Sequence, residues 1–567
     1  MMDVKSTKFT LTSSKFVFVG FLFILIFSVS GYFAHLDPDW HHDGILFKPA
    51  VDVASGKSLF RETFTQYGAL TTYLQGAAVA LFGKHLIVLR IEAALFLALT
   101  GALLYIICSQ IVQKYAAILP TLVWLFMAHY SISSLLPWSS IFSLFFVILG
   151  GWLLISSQQG VTSRFKGYSY CFASGIAFAA AFWARQPYGI VFVLVCLYFV
   201  IAILDRNIPF LTTIRNFLFF AIGFVTTHCL MLLWLWVDQS LNDWWIQSIL
   251  GAQSFAETMS NQESFIESVL IKLFPKPNTV WAGNGSYIWT FLPVFNLVVL
   301  LSITFRLVVV RQQSPSLRAL LILCLLGIGT WHQYYPISSI QHVYFGATPM
   351  IGVTVCSWFL LFRTISFGKV FNLLCVGTLI ILLFGNDMYY RFNAGINKYP
   401  VAAVDFPTLE GMRYSNKFVK ELIRYSGEDK QYYKNLADLG ATLKKVQILD
   451  PNRSLLTITE DAYLPAVFSS NNPHTITVWW RWMHKMYPDH RDSVREFIKI
   501  YRPLIEIKTK AWGWEPDWTN SELPARIDLG FSDYKVLIET DYSDSGRAQI
   551  LAPPKFYAKF QKAFGHE

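Results

Sequence analysis

Long apolar segments, separated by short polar ones, occupy the first two-thirds of the chain. An α-helix rises about 1.5 Å per residue, so roughly 20 apolar residues cross a hydrocarbon layer about 30 Å thick. Eleven segments have this character: 15–34, 86–110, 115–133, 136–156, 168–184, 187–204, 216–237, 286–307, 318–335, 341–362 and 369–386. The pattern predicts an α-helical polytopic membrane protein with about 11 transmembrane helices.

The pattern changes after residue 386. Residues 387–567 have a soluble composition, with a helical pattern near 410–445 and strand-like runs such as KVQILD and SLLTIT. We therefore predict a transmembrane domain over 1–386 and a soluble α/β domain over 387–567. The segment 67–85 is apolar but short and interrupted by glycines, which favours an interfacial or re-entrant helix over a span.

Composition and charge agree with this division and indicate an orientation. The 567 residues are 54% hydrophobic and 14% charged, and residues 1–400 carry 23 basic against 14 acidic side chains. The basic residues fall in every second loop, which predicts a cytoplasmic face and a cytoplasmic N-terminus. The loops 35–85 and 238–285 and the domain 387–567 are then extracytoplasmic, which in a bacterial inner membrane is periplasmic. No basic, aromatic-interleaved stripe suggests a nucleic-acid partner.

The loop after the first span concentrates ionisable residues next to the membrane. Asp37, Asp39, His41, His42 and Asp43 fall within seven positions. Neighbouring carboxylates raise one another's pKa, so one of them could serve as a base. A solvated, capped loop is the structural alternative. A DxD-like metal site is allowed but not favoured, because a proline separates the acids and no second ligand cluster is evident.

This loop and two phrases elsewhere resemble the GT-C superfamily of integral-membrane glycosyltransferases, which includes the protein O-mannosyltransferase and aminoarabinose transferase-like families. The matching phrases are HHDGILFKPAVDVASG with Asp43, FRETFTQYGALTTYLQGAAVALFG at 60–83, and YPISSIQHVYFGATP from Tyr335 to Pro349. The resemblance covers roughly residues 15–385. Many relatives have Asp-Glu where this chain has Asp43-Gly44, so Asp39 is a candidate for the second carboxylate.

The resemblance implies transfer of a sugar from a polyprenyl-phosphate donor to an extracytoplasmic acceptor by inverting displacement, with no cofactor and no catalytic metal. It implies Asp43 as the base, with Asp39 as the acid that could substitute for the missing second carboxylate. The candidate donor-phosphate ligands are Arg185, Lys48, Arg61 and His342. The candidate substrate-binding residues are Tyr67, Gln66, Asp243, Trp244 and Tyr335. Structural roles compete with these assignments: Arg185 could anchor the membrane boundary, and a tryptophan near an interface is usually such an anchor.

Two other classes of protein fit the same pattern of spans. A secondary transporter would be expected to show paired broken helices in two halves, and we find no such pair. A lipid-linked polysaccharide polymerase or ligase would share the substrates but concentrate arginines in its large outer loops. The acceptor class, whether glycolipid, polysaccharide or protein, stays open, as does the identity of the sugar.

Overall fold

The computed structural model describes residues 13–158, 164–205, 208–254, 286–312, 314–334, 340–364, 368–420, 429–458, 463–467, 487, 489–508, 529–543 and 546–565. Most of these residues are α-helical, and the strands belong to two small sheets after residue 400. The predicted fold class, a polytopic helical membrane protein with a C-terminal α/β part, is confirmed.

The described residues before 397 are mostly α-helical. The helices are α1 Ser13–Ala34, α2 His42–Ala54, α3 Ala69–Phe82, α4 Leu86–Ile111, α5 Ile118–Phe126, α6 Ser139–Gln158, α7 Arg164–Ala184, α8 Ile190–Leu204, α9 Phe210–Val237, α10 Leu241–Trp244, α11 Ser286–Val308, α12 Pro315–Thr330, α13 Ile340–Thr364 and α14 Lys369–Ile396. Three 3₁₀ turns, His129–Ser131, Gln186–Gly189 and Trp331–Tyr334, and one π-helical turn, Trp245–Leu250, lie between them.

Nine helical segments in the described ranges are long and apolar enough to cross a membrane, and they coincide with nine of the eleven predicted spans. The other two predicted spans are helical but differ. The span predicted at 115–133 contains α5, which has only nine residues. The span predicted at 168–184 lies within α7, which has 21 residues but begins with a basic turn. Helix α14 continues ten residues past position 386.

Helix α3 lies in the segment 67–85, for which a short interfacial or re-entrant helix was predicted instead of a membrane span. Its 14 residues give a length of about 21 Å, which is too short to cross a hydrocarbon layer of about 30 Å. Helices α4, α6, α12 and α13 are the most buried of the spans, whereas α1, α9 and α14 leave most of their surface uncovered. The second group is therefore peripheral and presents its apolar side chains to lipid.

Glycines allow α7 and α9 to pack backbone to backbone. A Cβ atom placed on Gly175 would lie 2.1 Å from the carbonyl oxygen of Phe220, and one on Gly223 would lie 2.1 Å from that of Phe172. Any side chain at either position would force the helices apart. Small residues at such crossings are the usual way for transmembrane helices to approach closely.

The C-terminal part consists of β1 Pro400–Ala403, β2 Arg413–Ser415, α15 Asp429–Leu449, β3 Leu455–Thr457, α16 Tyr463–Val467, α17 His490–Tyr501, β4 Leu504–Lys508, β5 Lys535–Ser543, β6 Gly546–Ala552 and α18 Pro554–Phe564. Strands β1 and β2 form an antiparallel pair, and the other four form a sheet in the order β3-β4-β6-β5. Only β3 and β4 are parallel in that sheet.

One detail of the predicted tail is wrong. The run KVQILD is the C-terminal end of α15 rather than a strand. Leu436, Leu439, Leu443 and Val446 are buried at helical spacing, and this longer apolar stripe outweighs the local strand propensity. In the region predicted as helical near 410–445, Arg413–Ser415 instead pairs with β1, residues 416–420 are helical, and α15 begins at Asp429. The run SLLTIT contains β3, as predicted.

The C-terminal part packs directly against the first loop, residues 35–85. The ring of Trp40 lies edge-to-face against Phe406 and Tyr463, each at 5.2 Å between centroids. Phe47 in α2 stacks on Tyr463 at 5.6 Å. These side chains belong to one buried hydrophobic cluster, so the C-terminal part helps to hold the first loop in its conformation.

Candidate functional site

Asp43, in the first turn of α2, is completely buried and paired with Arg90 of α4. Arg90 donates from Nε to Oδ1 at 3.2 Å and from Nη2 to Oδ2, and the N–H of Asp39 donates to Oδ2 at 2.8 Å. Arg90 also donates to the carbonyl oxygens of Leu36, at 2.7 Å, and Asp37, at 3.0 Å. Burial raises the pKa of Asp43, and the charge of Arg90 opposes that rise. The pair ties the first loop to a transmembrane helix.

Asp39 lies four residues earlier, and its side chain is 34% exposed. Its Oδ1 accepts hydrogen bonds from the N–H groups of His41 (3.1 Å) and His42 (2.7 Å), and its Oδ2 lies 2.9 Å from Nδ1 of His42. Burial alone would raise the pKa of Asp39, but the charge and hydrogen bonds of His42, together with the charge of His41, hold it well below its ordinary value. Asp39 is therefore an accessible, ionised carboxylate.

Trp138, just before α6, lies at the centre of a group of aromatic rings. It makes edge-to-face contacts with His42 at 5.3 Å, with Tyr67 at 5.8 Å and with His342 at 6.4 Å between centroids. These three residues come from α2, the segment before α3, and α13. Burial raises the pKa of Tyr67 to about 12, so its hydroxyl stays neutral, and Gln66 hydrogen-bonds to it.

Arg185 lies beside the same group, between α7 and the following 3₁₀ turn. Its guanidinium is 5.8 Å from the ring centroid of Tyr67, and its Nη1 donates to Ser139 Oγ at 3.1 Å. Its Nε is buried, and no described residue accepts a hydrogen bond from it. The alternative in which Arg185 pairs with a loop acid has no support among the described residues. We call Asp39, His42, Tyr67, Trp138, Arg185 and His342 the aromatic site.

Lys48 and Arg61, the other two cations predicted to bind the donor phosphate, are placed elsewhere. Lys48 donates to the carboxylate of Asp52, which also lies 3.1 Å from Lys57 Nζ. Arg61 lies 3.7 Å from the carboxylate of Glu62. Neither cation makes a described hydrogen bond or ion pair with the aromatic site, because acids within the same loop engage both.

The remaining predicted substrate residues are dispersed. Trp244 is buried against Trp183, at 5.1 Å between ring centroids, in a small hydrophobic cluster apart from Trp138. Asp243 precedes it in α10 and is half-buried. Tyr335 lies outside the described residues. Trp244 therefore packs inside the protein instead of presenting a face for a sugar.

Asp37 anchors the first loop to the C-terminal part. Its carboxylate accepts hydrogen bonds from the N–H of Ser415 at 2.7 Å and from its hydroxyl at 2.8 Å, and it lies 3.0 Å from Lys398 Nζ. Its backbone adopts a left-handed conformation with φ of 54°, which non-glycine residues seldom adopt. Because its carboxylate is engaged by Ser415 and Lys398, Asp37 is not available to form a DxD-like metal site with Asp39.

The sequence reasoning missed two central residues, Trp138 and Arg90. Trp138 follows Leu136 and Pro137 at the start of a predicted span, where a tryptophan is usually interpreted as a membrane-interface anchor. Arg90 sits in the first turns of a span, and that position was a usable signal. A charged residue in a transmembrane segment normally has a buried partner, and the nearby acidic loop offered one.

The fold of the chain is similar to that of known membrane proteins. ArnT from Cupriavidus metallidurans in the apo state matches with a TM-score of 0.54 and 12% identity, covering 96% of this chain and 98% of that chain. The chain has a GT-C fold. ArnT bound to undecaprenyl phosphate matches with a TM-score of 0.50 and 12% identity, covering 95% and 98% of the two chains. The predicted resemblance to GT-C proteins is thus confirmed for the fold.

An oligosaccharyltransferase from Archaeoglobus fulgidus, in complex with Zn and sulfate, matches with a TM-score of 0.43 and 12% identity over 73% of this chain. The match covers 57% of that protein, so the chain spans just over half of its length. Neither a family model nor a curated protein matches the sequence. At this identity the structural matches establish the fold alone, and the reaction has to be argued from the aromatic site.

Proposed function

We propose that the chain is a membrane glycosyltransferase that moves a sugar from a polyprenyl-phosphate donor to an extracytoplasmic acceptor. The observation that carries the proposal is the aromatic site, in which an accessible carboxylate, Asp39, and a guanidinium with a buried, unpaired Nε, Arg185, lie around one cluster of rings within a GT-C fold. ArnT, which shares the fold over nearly its whole length, has been crystallised with undecaprenyl phosphate. In such a site the carboxylate can act as the base, the aromatic rings can bind the sugar, and the cation can bind the phosphate.

In the proposed reaction Asp39 is the base. The acceptor hydroxyl or amine attacks the anomeric carbon and gives its proton to the Asp39 carboxylate, while the bond from that carbon to the phosphate oxygen breaks. The bonding electrons leave with the phosphate. One such displacement inverts the anomeric configuration. Asp43 was the first choice from the sequence, but its complete burial and its bonds to Arg90 favour a positioning role.

Arg185 is the proposed ligand of the departing phosphate. A guanidinium can give two parallel hydrogen bonds to a phosphate, and the ring of Tyr67, which packs on Trp138, lies 5.8 Å from the guanidinium of Arg185. His342, which contacts the same tryptophan, is placed to add a hydrogen bond to the phosphate or the sugar. In this proposal the aromatic site faces the periplasm of a bacterial inner membrane.

A transfer assay tests the proposed function. The purified full chain in lipid would be supplied with a panel of polyprenyl-phosphate sugars and with glycolipid, polysaccharide and peptide acceptors. Formation of an inverted glycoside and release of the polyprenyl phosphate are expected for at least one pair. Absence of transfer across the panel, with accumulation of a solute in proteoliposomes, would instead favour a secondary transporter.

The histidine beside Asp39 should set the acid limit of the reaction. Because burial raises the pKa of Asp39 and His42 lowers it, replacing His42 with Gln should raise that pKa. The base would then be protonated at higher pH, so the acid limb of the kcat/KM profile should move upward. His41→Gln is the matched control and should move it less, since His41 makes the smaller contribution. Equal profiles for the wild type and His42→Gln would argue against Asp39 as the base.

Arg185→Lys should weaken use of the donor without weakening the fold. Lysine keeps the charge but loses the planar pair of donors, so donor KM should rise by about tenfold while thermal stability stays near that of the wild type. Arg215→Lys, on the exposed surface of α9, is the control and should leave the KM unchanged. Unchanged donor KM in Arg185→Ala would show that Arg185 only anchors the membrane boundary.

A further inference from the structure

A second group of buried polar side chains lies between α5, α13 and α14. Arg391, two turns before Lys398, is 3% exposed, and Asp387, His129, Tyr130 and Tyr344 are also buried. The ring of His129 contacts those of Tyr344 at 5.4 Å and Tyr130 at 5.6 Å. Helix α14, which carries Arg391, packs against both the turn His129–Ser131 and helix α13, which carries Tyr344. These five residues therefore form one cluster.

The cluster has hydrogen-bonding groups with no partner in the protein. The Nε and Nη1 atoms of Arg391, both ring nitrogens of His129 and the hydroxyls of Tyr130 and Tyr344 are buried without a hydrogen bond to any described residue. Asp387 lies one turn before Arg391, yet no ion pair forms between these two side chains in the described structure. Buried groups of this kind are costly unless something else satisfies them.

The unsatisfied groups are mostly donors. The guanidinium offers the N–H groups of Nε and Nη1, and the phenols offer two O–H groups, which suits an oxyanion such as phosphate or carboxylate. The Asp387 carboxyl is an acceptor, so it suits a hydroxyl on the same ligand. The ring of Trp289 lies 5.8 Å from the Arg391 guanidinium and supplies an apolar wall.

The cluster adjoins the aromatic site but is distinct from its cation. His342 interacts electrostatically with His129, whose other cationic neighbour is Arg391. His342 also interacts with His332, whose cationic neighbour is Arg185. Arg391 and Arg185 are therefore near different histidines, His129 and His332 respectively, and His342 is near both of these histidines.

We propose that Arg391, Tyr130 and Tyr344 bind an oxyanion carried by the acceptor, a phosphate or carboxylate group, while Arg185 binds the phosphate of the donor. This assignment rests on the proposed function and gives the acceptor a chemical class that the sequence left open. It places the two anions beside different arginines, and the rings of His42, Trp138 and His342 connect the carboxylate of Asp39 with this region.

Binding of radiolabelled inorganic phosphate to the purified full chain tests the proposal without requiring turnover. The wild type should show two classes of sites. Arg391→Gln should weaken one class by about tenfold or more, and Arg185→Gln the other. Asp387→Asn removes a negative charge beside Arg391 and should strengthen the first class several-fold. A gain of affinity cannot come from unfolding. Arg413→Gln and Asp405→Asn, both exposed, are the matched controls.

Competing ligands identify the source of the oxyanion. Farnesyl phosphate, a soluble lipid monophosphate, should displace phosphate from the Arg185 class at lower concentration than from the Arg391 class, and acetate shows whether the Arg391 class also takes carboxylates. Equal displacement from both would assign the second site to the donor lipid and overturn the acceptor assignment. A single class of sites, or Arg391→Gln and Tyr344→Phe indistinguishable from Arg413→Gln, would remove the site itself. If the chain shows two classes of phosphate-binding sites but no glycosyl transfer, the proposed function is wrong and the oxyanion site is retained.

Discussion

Asp39→Asn is expected to lower turnover by about 10² to 10⁴ while donor affinity stays near that of the wild type, because general-base catalysis typically contributes that much. Asparagine keeps the shape of the side chain and an oxygen that can accept the hydrogen bonds of His41 and His42. What it loses is the ability to take a proton. The measurement is kcat and donor Kd of the purified variant in lipid.

Asp43→Asn is the comparison that separates a base from a positioning residue. That substitution leaves the buried Arg90 without a charged partner, so we expect lower thermal stability together with lower activity. Asp39 is partly exposed, and its substitution should leave stability nearly unchanged. If Asp43→Asn abolishes turnover at normal stability while Asp39→Asn turns over normally, the base is Asp43 and the loop rearranges when substrate binds.

Arg90→Leu should have the largest effect on the fold, with a loss of about 3–5 kcal/mol, because it leaves a buried carboxylate uncompensated. Two carbonyl oxygens of the first loop, on Leu36 and Asp37, lose their donor as well. The loss should appear as a lower midpoint of unfolding in detergent. The double variant Arg90→Leu with Asp43→Leu should recover part of the stability, since no lone buried charge remains.

Arg318→Leu provides a matched control for Arg90. Arg318 makes an ion pair with the buried Asp205 at 2.7 Å, at a site unconnected with the first loop. The variant Arg318→Leu should also lower the free energy of unfolding, but its activity per folded molecule should remain normal. Arg90→Leu should lower both. Equal specific activity of the two folded variants would show that the Asp43–Arg90 pair has no part in arranging Asp39.

The helices were predictable because a long apolar segment in a membrane satisfies its backbone hydrogen bonds by forming an α-helix. The observed ends of α1, α4 and α13 are close to the predicted ones. Helix α5 was less predictable because a turn at His129–Ser131 interrupts its apolar run. The strand assigned to KVQILD failed for a related reason. A short apolar run fits a strand or a helix, and only packing against the rest of the domain decides between them.

The site was less predictable than the fold. The sequence located the correct loop but could not tell which of its acids is buried, since that depends on Arg90, forty-seven residues after Asp43. From the sequence, Lys48 and Arg61 were candidate phosphate ligands along with Arg185. In the structure they pair with Asp52 and Glu62. Trp138 contacts aromatic rings from three separate segments of the chain, and a local sequence pattern cannot predict such long-range contacts.

The Asp37 anchor has a consequence for biosynthesis. Its partner Ser415 follows it by 378 residues, and every candidate span lies between Asp37 and β1 except α1. At about 5–20 residues per second, the ribosome needs roughly 20–75 s to make the intervening chain. During that interval Asp37 has no Ser415 to hold its left-handed turn. The nascent chain should therefore lack the proposed activity until its last membrane helix has been inserted, and co-expressed fragments split between the spans should gain that activity only when the β1–β2 pair is supplied.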